Sequence, residues 1–209
     1  LVEGYGMTES SPVALGNPMG PSRRPGTVGV PFPSTDIRIV APDDPSVDRE
    51  PGEEGELLLR GPQVFSGYWR RPAETADALL PGGWLRTGDI AVVSPDGFVT
   101  IVDRLKELII TGGFNVSPSE VEDTLHAHPD VEAAAVVAAP RSSGGEEVVA
   151  AVVLREGASL DVEGLRDFCR TRLAAYKVPR RIVAVDDLPR SLIGKVLRRQ
   201  VREQLLARA

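Results

Sequence analysis

Hydrophobic and polar positions divide the chain into two parts with different patterns. Between residues 26 and 102, short β-prone runs alternate with Gly and Pro, which is typical of an antiparallel sheet or partial barrel. Asp96-Gly97 predicts a tight hairpin, because Gly tolerates the positive φ that such a turn requires. Ala41–Glu54, dense in Asp, Pro and Glu, is expected to be a surface loop. The predicted strands are Thr27–Val30, Asp36–Val40, Gly55–Arg60, Asp89–Val93 and Phe98–Val102.

After Asp103 the pattern changes to alternating strands and helices. Ser117-Pro118-Ser119-Glu120 predicts a helix start with a capping hydroxyl and an acidic first turn. Arg141–Glu147, rich in Ser and Gly, is expected to be an exposed loop. We predict strands at Glu107–Thr111, Val131–Ala138 and Val148–Leu154, and helices at Ser119–Ala127, at Asp161–Leu173 and from about Lys195 onward. The sequence therefore predicts a mixed α/β (α+β) fold, with a β-rich, barrel-like part at 1–103 and a small α/β domain at 104–209.

Composition narrows the classes of protein that remain. The chain has 209 residues, of which 42% are hydrophobic and 26% charged, as is ordinary for a globular protein. The formal net charge of −6 argues against nonspecific nucleic-acid binding. The longest apolar runs are far shorter than the roughly 20 residues that span a bilayer. The single Cys169 is expected in the core and is compatible with a reducing cytoplasm, and His126 and His128 lack metal-binding spacing.

Two segments combine residue types that suit a nucleotide. Tyr5-Gly6-Met7-Thr8-Glu9 offers an aromatic face for adenine, a Gly that lets the backbone approach, a hydroxyl for phosphate and a carboxylate for Mg²⁺. Asp89 of Thr87-Gly88-Asp89 can accept hydrogen bonds from both ribose hydroxyls. Taken alone, each segment is more often an ordinary turn.

Two further segments suggest a joint and a ligand contact. Asp103-Arg104-Leu105-Lys106-Glu107 lies where the two patterns meet, so it is a natural linker, although a solvated β-turn is the alternative. Lys195 precedes a predicted helix, where a cation opposes the helix dipole and so suggests a bound ligand. An exposed lysine is the alternative. A Walker-type phosphate loop is excluded, because Pro189 stands where that motif needs Gly.

In this order, the four segments resemble the signature of the superfamily of acyl-CoA synthetases, peptide-synthetase adenylation domains and luciferases. The resemblance covers essentially the whole chain. It implies the end of a large adenylation domain followed by a small mobile domain. Three further segments resemble long-chain fatty acyl-CoA synthetases most, namely Pro33–Asp36, Arg60–Trp69 and Gly113–Pro118. Because the family's phosphate loop precedes the Tyr5 segment and is not seen here, we expect the C-terminal part of a longer enzyme.

The resemblance also implies a reaction and its participants. Such enzymes use Mg²⁺ and ATP to convert a carboxylate into acyl-AMP, and coenzyme A then displaces AMP. The partners would be a fatty acid, ATP, coenzyme A and the remaining N-terminal part of the enzyme. A cytoplasmic location is implied, and peripheral contact with a membrane is compatible with it. The 209 residues alone are expected not to form acyl-AMP.

Matched position by position, the resemblance implies a role for each candidate site residue. Six lie in or near the first part: Tyr5 stacks on adenine beside Gly6, Thr8 contacts phosphate, Glu9 binds Mg²⁺, and Asp89 with Arg104 holds the ribose. Lys106 would be the hinge of the small domain. Lys195 would bridge the carboxylate and the α-phosphate, and Gly113 would line the pantetheine tunnel.

Two other functions remain open at this point. One is adenylation for a different acceptor, such as a carrier protein, or luciferase-type oxidation. The other is a nonenzymatic interaction module, although the presence of Glu9, Asp89, Arg104 and Lys195 together favours an enzyme. Acyl chain length and oligomeric state do not follow from the sequence.

Overall fold

The structure, a computed structural model, describes residues 2–141, 144–192 and 194–207. Its contacts separate the chain after Lys106 into the units Leu1–Lys106 and Glu107–Ala209. The predicted boundary at 103 lies just before this point. That the units correspond to a large-domain portion and a small mobile domain remains a prediction.

The first unit is built mainly of short antiparallel strands. They form a three-stranded sheet, β1-β2-β3, and a six-stranded sheet in the order β5-β4-β6-β8-β7, with β9 also paired to β8. Gly29 pairs with Val99 between the two sheets, so the β-rich part curls as the predicted barrel-like fold requires. The elements are β1 (Gly4–Tyr5), β2 (Leu15–Gly16), β3 (Val30–Pro31), β4 (Asp36–Ala41), β5 (Asp44–Asp48), β6 (Gly55–Arg60), α1 (Pro72–Ala78), β7 (Leu79–Leu80), β8 (Trp84–Val93) and β9 (Val99–Arg104).

Several strand predictions in this unit are confirmed, and two need correction. Asp36–Val40 and Gly55–Arg60 correspond to β4 and β6. Of Thr27–Val30, only Val30 lies in a strand. The loop expected at Ala41–Glu54 contains β5, an edge strand that is largely exposed and so lacks the alternating apolar pattern of a half-buried strand.

The second unit packs helices on both faces of a three-stranded sheet. The sheet order is β12-β13-β14, with β12 antiparallel and β14 parallel to β13. Helices α2 and α3 contribute to one hydrophobic core and α4 to the other. The elements are β10 (Ile109–Thr111), β11 (Phe114–Val116), α2 (Pro118–His126), β12 (Val131–Pro140), β13 (Glu146–Leu154), α3 (Val162–Arg170), β14 (Arg181–Ala184) and α4 (Arg198–Ala207).

Strand β13 illustrates why the sequence pattern here is continuous rather than alternating. Val148, Ala150 and Val152 belong to one core, while Val149 and Ala151 belong to the other. A strand covered on both faces reads as an uninterrupted apolar run. The predicted central strands are thereby confirmed.

The helix starts follow capping side chains. The Ser117 hydroxyl accepts a hydrogen bond from the Glu120 N–H at 3.4 Å, and the Asp161 carboxylate accepts one from Gly164 at 2.9 Å. The last helix begins at Arg198 rather than near Lys195. The predicted loop Arg141–Glu147 includes 142–143, which lie outside the described residues. Within the described ranges, no helix is long and apolar enough to cross a membrane.

Candidate functional site

Three strands of the first unit bring Tyr5, Asp89 and Arg104 together. The Tyr5 hydroxyl donates a hydrogen bond to Asp89 Oδ2 at 2.6 Å. Arg104 Nε lies 3.5 Å from Asp89 Oδ1, and the two residues are paired neighbours on β9 and β8. The Asp89 side chain is 14% exposed and that of Arg104 51%. The cluster therefore presents one largely buried carboxylate and one guanidinium that reaches solvent.

Burial and the bond to Asp89 make the Tyr5 hydroxyl a weaker acid than a free tyrosine. Desolvation raises the pKa of the Tyr5 hydroxyl well above its usual range, and the hydrogen bond to Asp89 raises it further. The hydroxyl therefore stays protonated, and able to donate its hydrogen bond to Asp89, into the alkaline range. Tyr5 also packs against the core of the first unit, so its ring is held in place.

Asp89 is presented by an irregularity inside β8 rather than by a turn. The β6–β8 register shifts between Glu56, which is paired with Ile90, and Leu58, which is paired with Arg86. Gly88, within this interval, has φ +69°. The alternative of an ordinary turn at Thr87-Gly88-Asp89 is therefore wrong, because a bulge in a strand re-aims this carboxylate.

Hydrogen bonds fix the backbone around the bulge. The Thr87 hydroxyl donates to the Leu57 carbonyl at 2.7 Å and accepts from the Asp89 N–H at 3.1 Å. The Gly88 N–H donates to Glu56 Oε1 at 3.2 Å. Each residue of the bulge is thus tied to β6 or to its neighbour.

Gly6 is required by packing within the chain. A Cβ added to Gly6 would lie 1.7 Å from the Pro12 carbonyl oxygen and 2.7 Å from Val13 Cα. Backbone therefore passes too close for any side chain. Thr8–Ser10 forms a 3₁₀ turn, closed by the Met7 N–H donating to the Ser10 hydroxyl at 3.0 Å, and it leaves Thr8 exposed.

Glu9 is held by the segment Arg60–Trp69, for which the sequence suggested no role. The Tyr68 hydroxyl donates to Glu9 Oε1 at 2.8 Å, and the Phe65 N–H donates to the Glu9 carbonyl at 2.9 Å. This hydrogen bond to a carboxylate raises the pKa of the Tyr68 hydroxyl. The other carboxylate oxygen of Glu9 has no bond to Tyr68 and can serve as a ligand.

The donor set fits only a metal ion that other ligands complete. Among the residues that the structure describes, no three His, Cys, Asp or Glu side chains are grouped to hold a metal. Mg²⁺ commonly takes one or two carboxylates together with substrate phosphates and waters. Glu9 fits that pattern as a single protein ligand.

The turn between β10 and β11 contains Gly113. Thr111 pairs with Phe114, so Gly112 and Gly113 form a two-residue loop, with φ of +59° and +83°. Two positive φ values in succession are the type I′ hairpin conformation. A Cβ on Gly113 would meet no atom within 4 Å. Its glycine is therefore explained by backbone conformation within this unit.

Lys195 lies in a short closed loop that leads into α4. The Ser191 N–H donates to the Lys195 carbonyl at 2.8 Å, and Gly194 has φ +82°. Arg190 Nη1 donates to the Gly194 carbonyl at 3.1 Å. Lys195 is exposed, and its ammonium has no hydrogen-bond partner in the part of the chain that the structure describes. Ile193 lies outside the described residues.

The segment Asp103–Glu107, expected from the sequence to be a linker, contains one buried residue and a short turn. Asp103 is buried and accepts a hydrogen bond from the Arg104 N–H at 2.9 Å. Leu105–Glu107 forms a 3₁₀ turn, with Lys106 exposed at the end of the first unit. Within this segment, Asp103 is therefore held by burial and hydrogen bonding, whereas Lys106 is exposed to solvent.

Reasoning from the sequence missed Glu56, Arg86 and the role of Tyr68. The available signal for Glu56 was a charge at the start of the apolar run Leu57–Leu59. Cys169 is buried as predicted, and burial raises the pKa of its thiol. His126 ends α2, and the His128 ring packs edge-on against Phe168 at 4.9 Å between centroids.

Comparison with known proteins defines the class. The family model described as "AMP-binding enzyme" matches residues 1–69, and the model "AMP-binding enzyme C-terminal domain" matches residues 120–195. The first matched region contains Tyr5 and Glu9, and the second ends at Lys195. The chain belongs to the AMP-binding, adenylate-forming enzymes.

The relatives narrow the class further. Over 204 residues and 98% of this chain, it is 47% identical to a long-chain-fatty-acid–CoA ligase of Escherichia coli O157:H7 and 45% identical to one of Bacillus subtilis strain 168. It is also 44% identical to a feruloyl-CoA synthase of an Amycolatopsis species. The chain spans 36% of the length of the E. coli ligase and 41% of that of the synthase.

Solved structures agree in fold. The chain matches ATP-bound MatB from Rhodopseudomonas palustris with a TM-score of 0.90 and 38% identity, over 98% of this chain and 40% of that one. It matches o-succinylbenzoate CoA synthetase from Bacillus subtilis, in complex with its acyl-adenylate intermediate, with a TM-score of 0.80 and 34% identity. That match covers 96% of this chain and 40% of the other.

Proposed function

We propose that the chain is the C-terminal part of a longer AMP-forming fatty acid–CoA ligase. The enzyme would join a long-chain fatty acid to AMP and then transfer the acyl group to coenzyme A. The observation that carries the proposal is 47% identity along nearly the whole chain to a long-chain ligase. The clustering of Tyr5, Asp89 and Arg104 supports it.

The first unit contributes the nucleotide contacts in this proposal. Asp89 accepts hydrogen bonds from the ribose hydroxyls, using lone pairs that Tyr5 and Arg104 do not occupy. The Tyr5 hydroxyl holds the carboxylate while a ring face stacks on adenine. Thr8 is exposed in the 3₁₀ turn, and its hydroxyl donates a hydrogen bond to phosphate. Gly6 allows its backbone to pack closely against that of Pro12 and Val13.

Glu9 is the proposed protein ligand of Mg²⁺. The Tyr68 hydroxyl donates to Oε1 of Glu9 and so fixes the orientation of the carboxylate. Oε2 then remains available to the ion. When bound, the ion would neutralise charge on the phosphates of ATP. This chain contributes by orienting Glu9 through hydrogen bonds from the Tyr68 hydroxyl and the Phe65 N–H.

The second unit contributes the groups that differ between the two half-reactions. Lys195 places a positive charge where negative charge develops as the carboxylate attacks the α-phosphate. Gly113 leaves room for the pantetheine arm in thioester formation. Rotation about Lys106 would bring each group into use in turn. Support for this comes from their separate loops and from the chain division after Lys106.

A second substrate class is favoured by one specific observation. The 44% identity to a feruloyl-CoA synthase makes an aromatic carboxylic acid the leading alternative to a fatty acid. In either case the product is an acyl-CoA.

We also infer a cytoplasmic enzyme, which would meet long-chain substrates at a membrane surface.

The test is substrate-dependent release of AMP and formation of acyl-CoA by the full-length protein that contains this chain. ATP, Mg²⁺ and coenzyme A are supplied with fatty acids from short to long, and with ferulate. Turnover that peaks with long fatty acids supports the proposal. Turnover that peaks with ferulate would show that the substrate is an aromatic acid and not a fatty acid. Formation of acyl-AMP without acyl-CoA would show that the acyl acceptor is not coenzyme A.

A further inference from the structure

We propose that Glu56 is the residue that positions Asp89 for contact with the nucleotide's ribose. The inference rests on the proposed function, in which Asp89 binds the ribose. Glu56 lies on β6, the strand beside the bulge, and the motif resemblance assigns it no role. It would act through the backbone of the bulge in β8.

The surroundings of Glu56 are unusual for an acidic residue. Its side chain is 1% exposed, and the next three residues of β6, Leu57–Leu59, are fully buried. Desolvation of a carboxylate is costly unless its oxygens are paired. A charge at this position therefore needs partners of its own.

Both oxygens of the Glu56 carboxylate are engaged. Oε2 accepts from Arg86 Nη2 at 2.6 Å and from Arg86 Nε at 3.0 Å. Oε1 accepts from the Gly88 N–H at 3.2 Å. One carboxylate thus joins the residue that enters the bulge to the residue that directly precedes Asp89.

The Gly88 contact is where the charge affects the site. Gly88 has φ +69°, and a Cβ there would meet no atom within 4 Å, so the backbone conformation, and not a lack of space, favours glycine at this position. Gly88 is half-buried and has no pairing partner on β6, and the Glu56 carboxylate supplies the acceptor that its N–H would otherwise find in the strand ladder. Without that acceptor the bulge loses the bond that fixes its central residue, and Asp89 moves relative to Tyr5 and Arg104.

The experiment compares binding of AMP and of 2′,3′-dideoxy-AMP by calorimetry, using the full-length protein. Glu56→Gln keeps the shape but leaves one acceptor oxygen in place of two, so Arg86 and the Gly88 N–H can no longer both be paired. We expect it to weaken AMP binding about tenfold, as loss of a charge-assisted hydrogen bond does, and to change dideoxy-AMP binding by less than about twofold. A purely structural role would weaken both ligands equally, and that result would overturn the inference.

Two further variants complete the design. Asp36→Asn disrupts an exposed ion pair with Arg60 on the same sheet and is expected to leave both affinities unchanged. Glu56→Met combined with Arg86→Met replaces the ion pair with apolar side chains, a change that buried pairs tolerate in folding. It should reproduce the ribose-dependent loss. If it binds AMP as the unaltered protein does, the inference fails.

Asp89→Asn separates this inference from the function on which it rests. If Asp89→Asn leaves the preference for AMP over dideoxy-AMP intact, the ribose role of Asp89 is wrong and the role of Glu56 falls with it. If Asp89→Asn abolishes the preference and Glu56→Gln retains it, only the role of Glu56 is wrong.

Discussion

At the scale of single residues, the Tyr5–Asp89 hydrogen bond couples a half-buried tyrosine to a candidate ligand carboxylate. This 2.6 Å hydrogen bond joins β1 to β8, two strands that are far apart in the sequence. The bond bears on stability as well as on the proposed ribose contact. Because burial raises the pKa of Tyr5, the residue remains protonated in the folded protein when it ionises in the unfolded chain.

This difference predicts a pH dependence with a definite sign. The stabilisation from Tyr5 is complete below the unfolded pKa of about 10 and falls as pH rises above it, by up to about 1.4 kcal/mol per pH unit. Tyr5→Phe has no proton to lose. Urea denaturation from pH 8 to 11 should show the stability advantage of the unaltered protein over Tyr5→Phe shrinking above pH 10. An advantage that is constant across this range would contradict the buried, protonated hydroxyl.

At the scale of elements, two separate requirements favour glycine at position 113 in the Gly112-Gly113 turn. The positive φ of Gly113 already explains a glycine, whereas the proposed function adds a need for open space beside it. Asn accepts a left-handed backbone far better than Ala, so the two demands can be separated.

We expect Gly113→Ala to destabilise the protein by about 1 kcal/mol and Gly113→Asn by less. In the full-length enzyme, Gly113→Asn should form acyl-AMP normally and transfer it slowly to coenzyme A. Thermal denaturation and separate assays of the two half-reactions measure these effects. Normal transfer by Gly113→Asn would leave the turn conformation as the sole reason for this glycine.

Elements also show which parts of the fold could be predicted from the sequence. The runs at β4, β6 and β13 were predictable because buried strands carry dense apolar signals. Strand β5 was missed because an exposed edge carries none. The bulge at Gly88 was missed because its hydrogen-bond partner Glu56 lies on a neighbouring strand, and pairing between distant segments leaves no local pattern. Candidate ligands were visible from motifs, but the residues that hold them, Glu56 and Tyr68, were not.

At the scale of the whole molecule, the chain accounts for about a third of the length of the fatty acid ligases that it resembles. The chain spans 36% of the E. coli enzyme. The proposed function therefore requires groups from outside these 209 residues, including the phosphate-binding loop that the family resemblance implies. We expect the purified 209-residue chain to show no fatty-acid-dependent exchange between ATP and pyrophosphate. Detectable exchange above a Lys195→Ala control would contradict this expectation.

Lys195 provides the most direct test of the central claim, which is two-step acyl activation with different groups serving each step. Its exposed ammonium, without a partner among the described residues, is available to a ligand. The measurement is the rate of each half-reaction in the full-length enzyme carrying Lys195→Ala, with Arg199→Ala, an exposed arginine of the same helical region, as the control. The account predicts that Lys195→Ala abolishes acyl-AMP formation from fatty acid and ATP and leaves thioester formation from supplied acyl-AMP largely intact. Equal loss of both activities, or normal acyl-AMP formation, would contradict it.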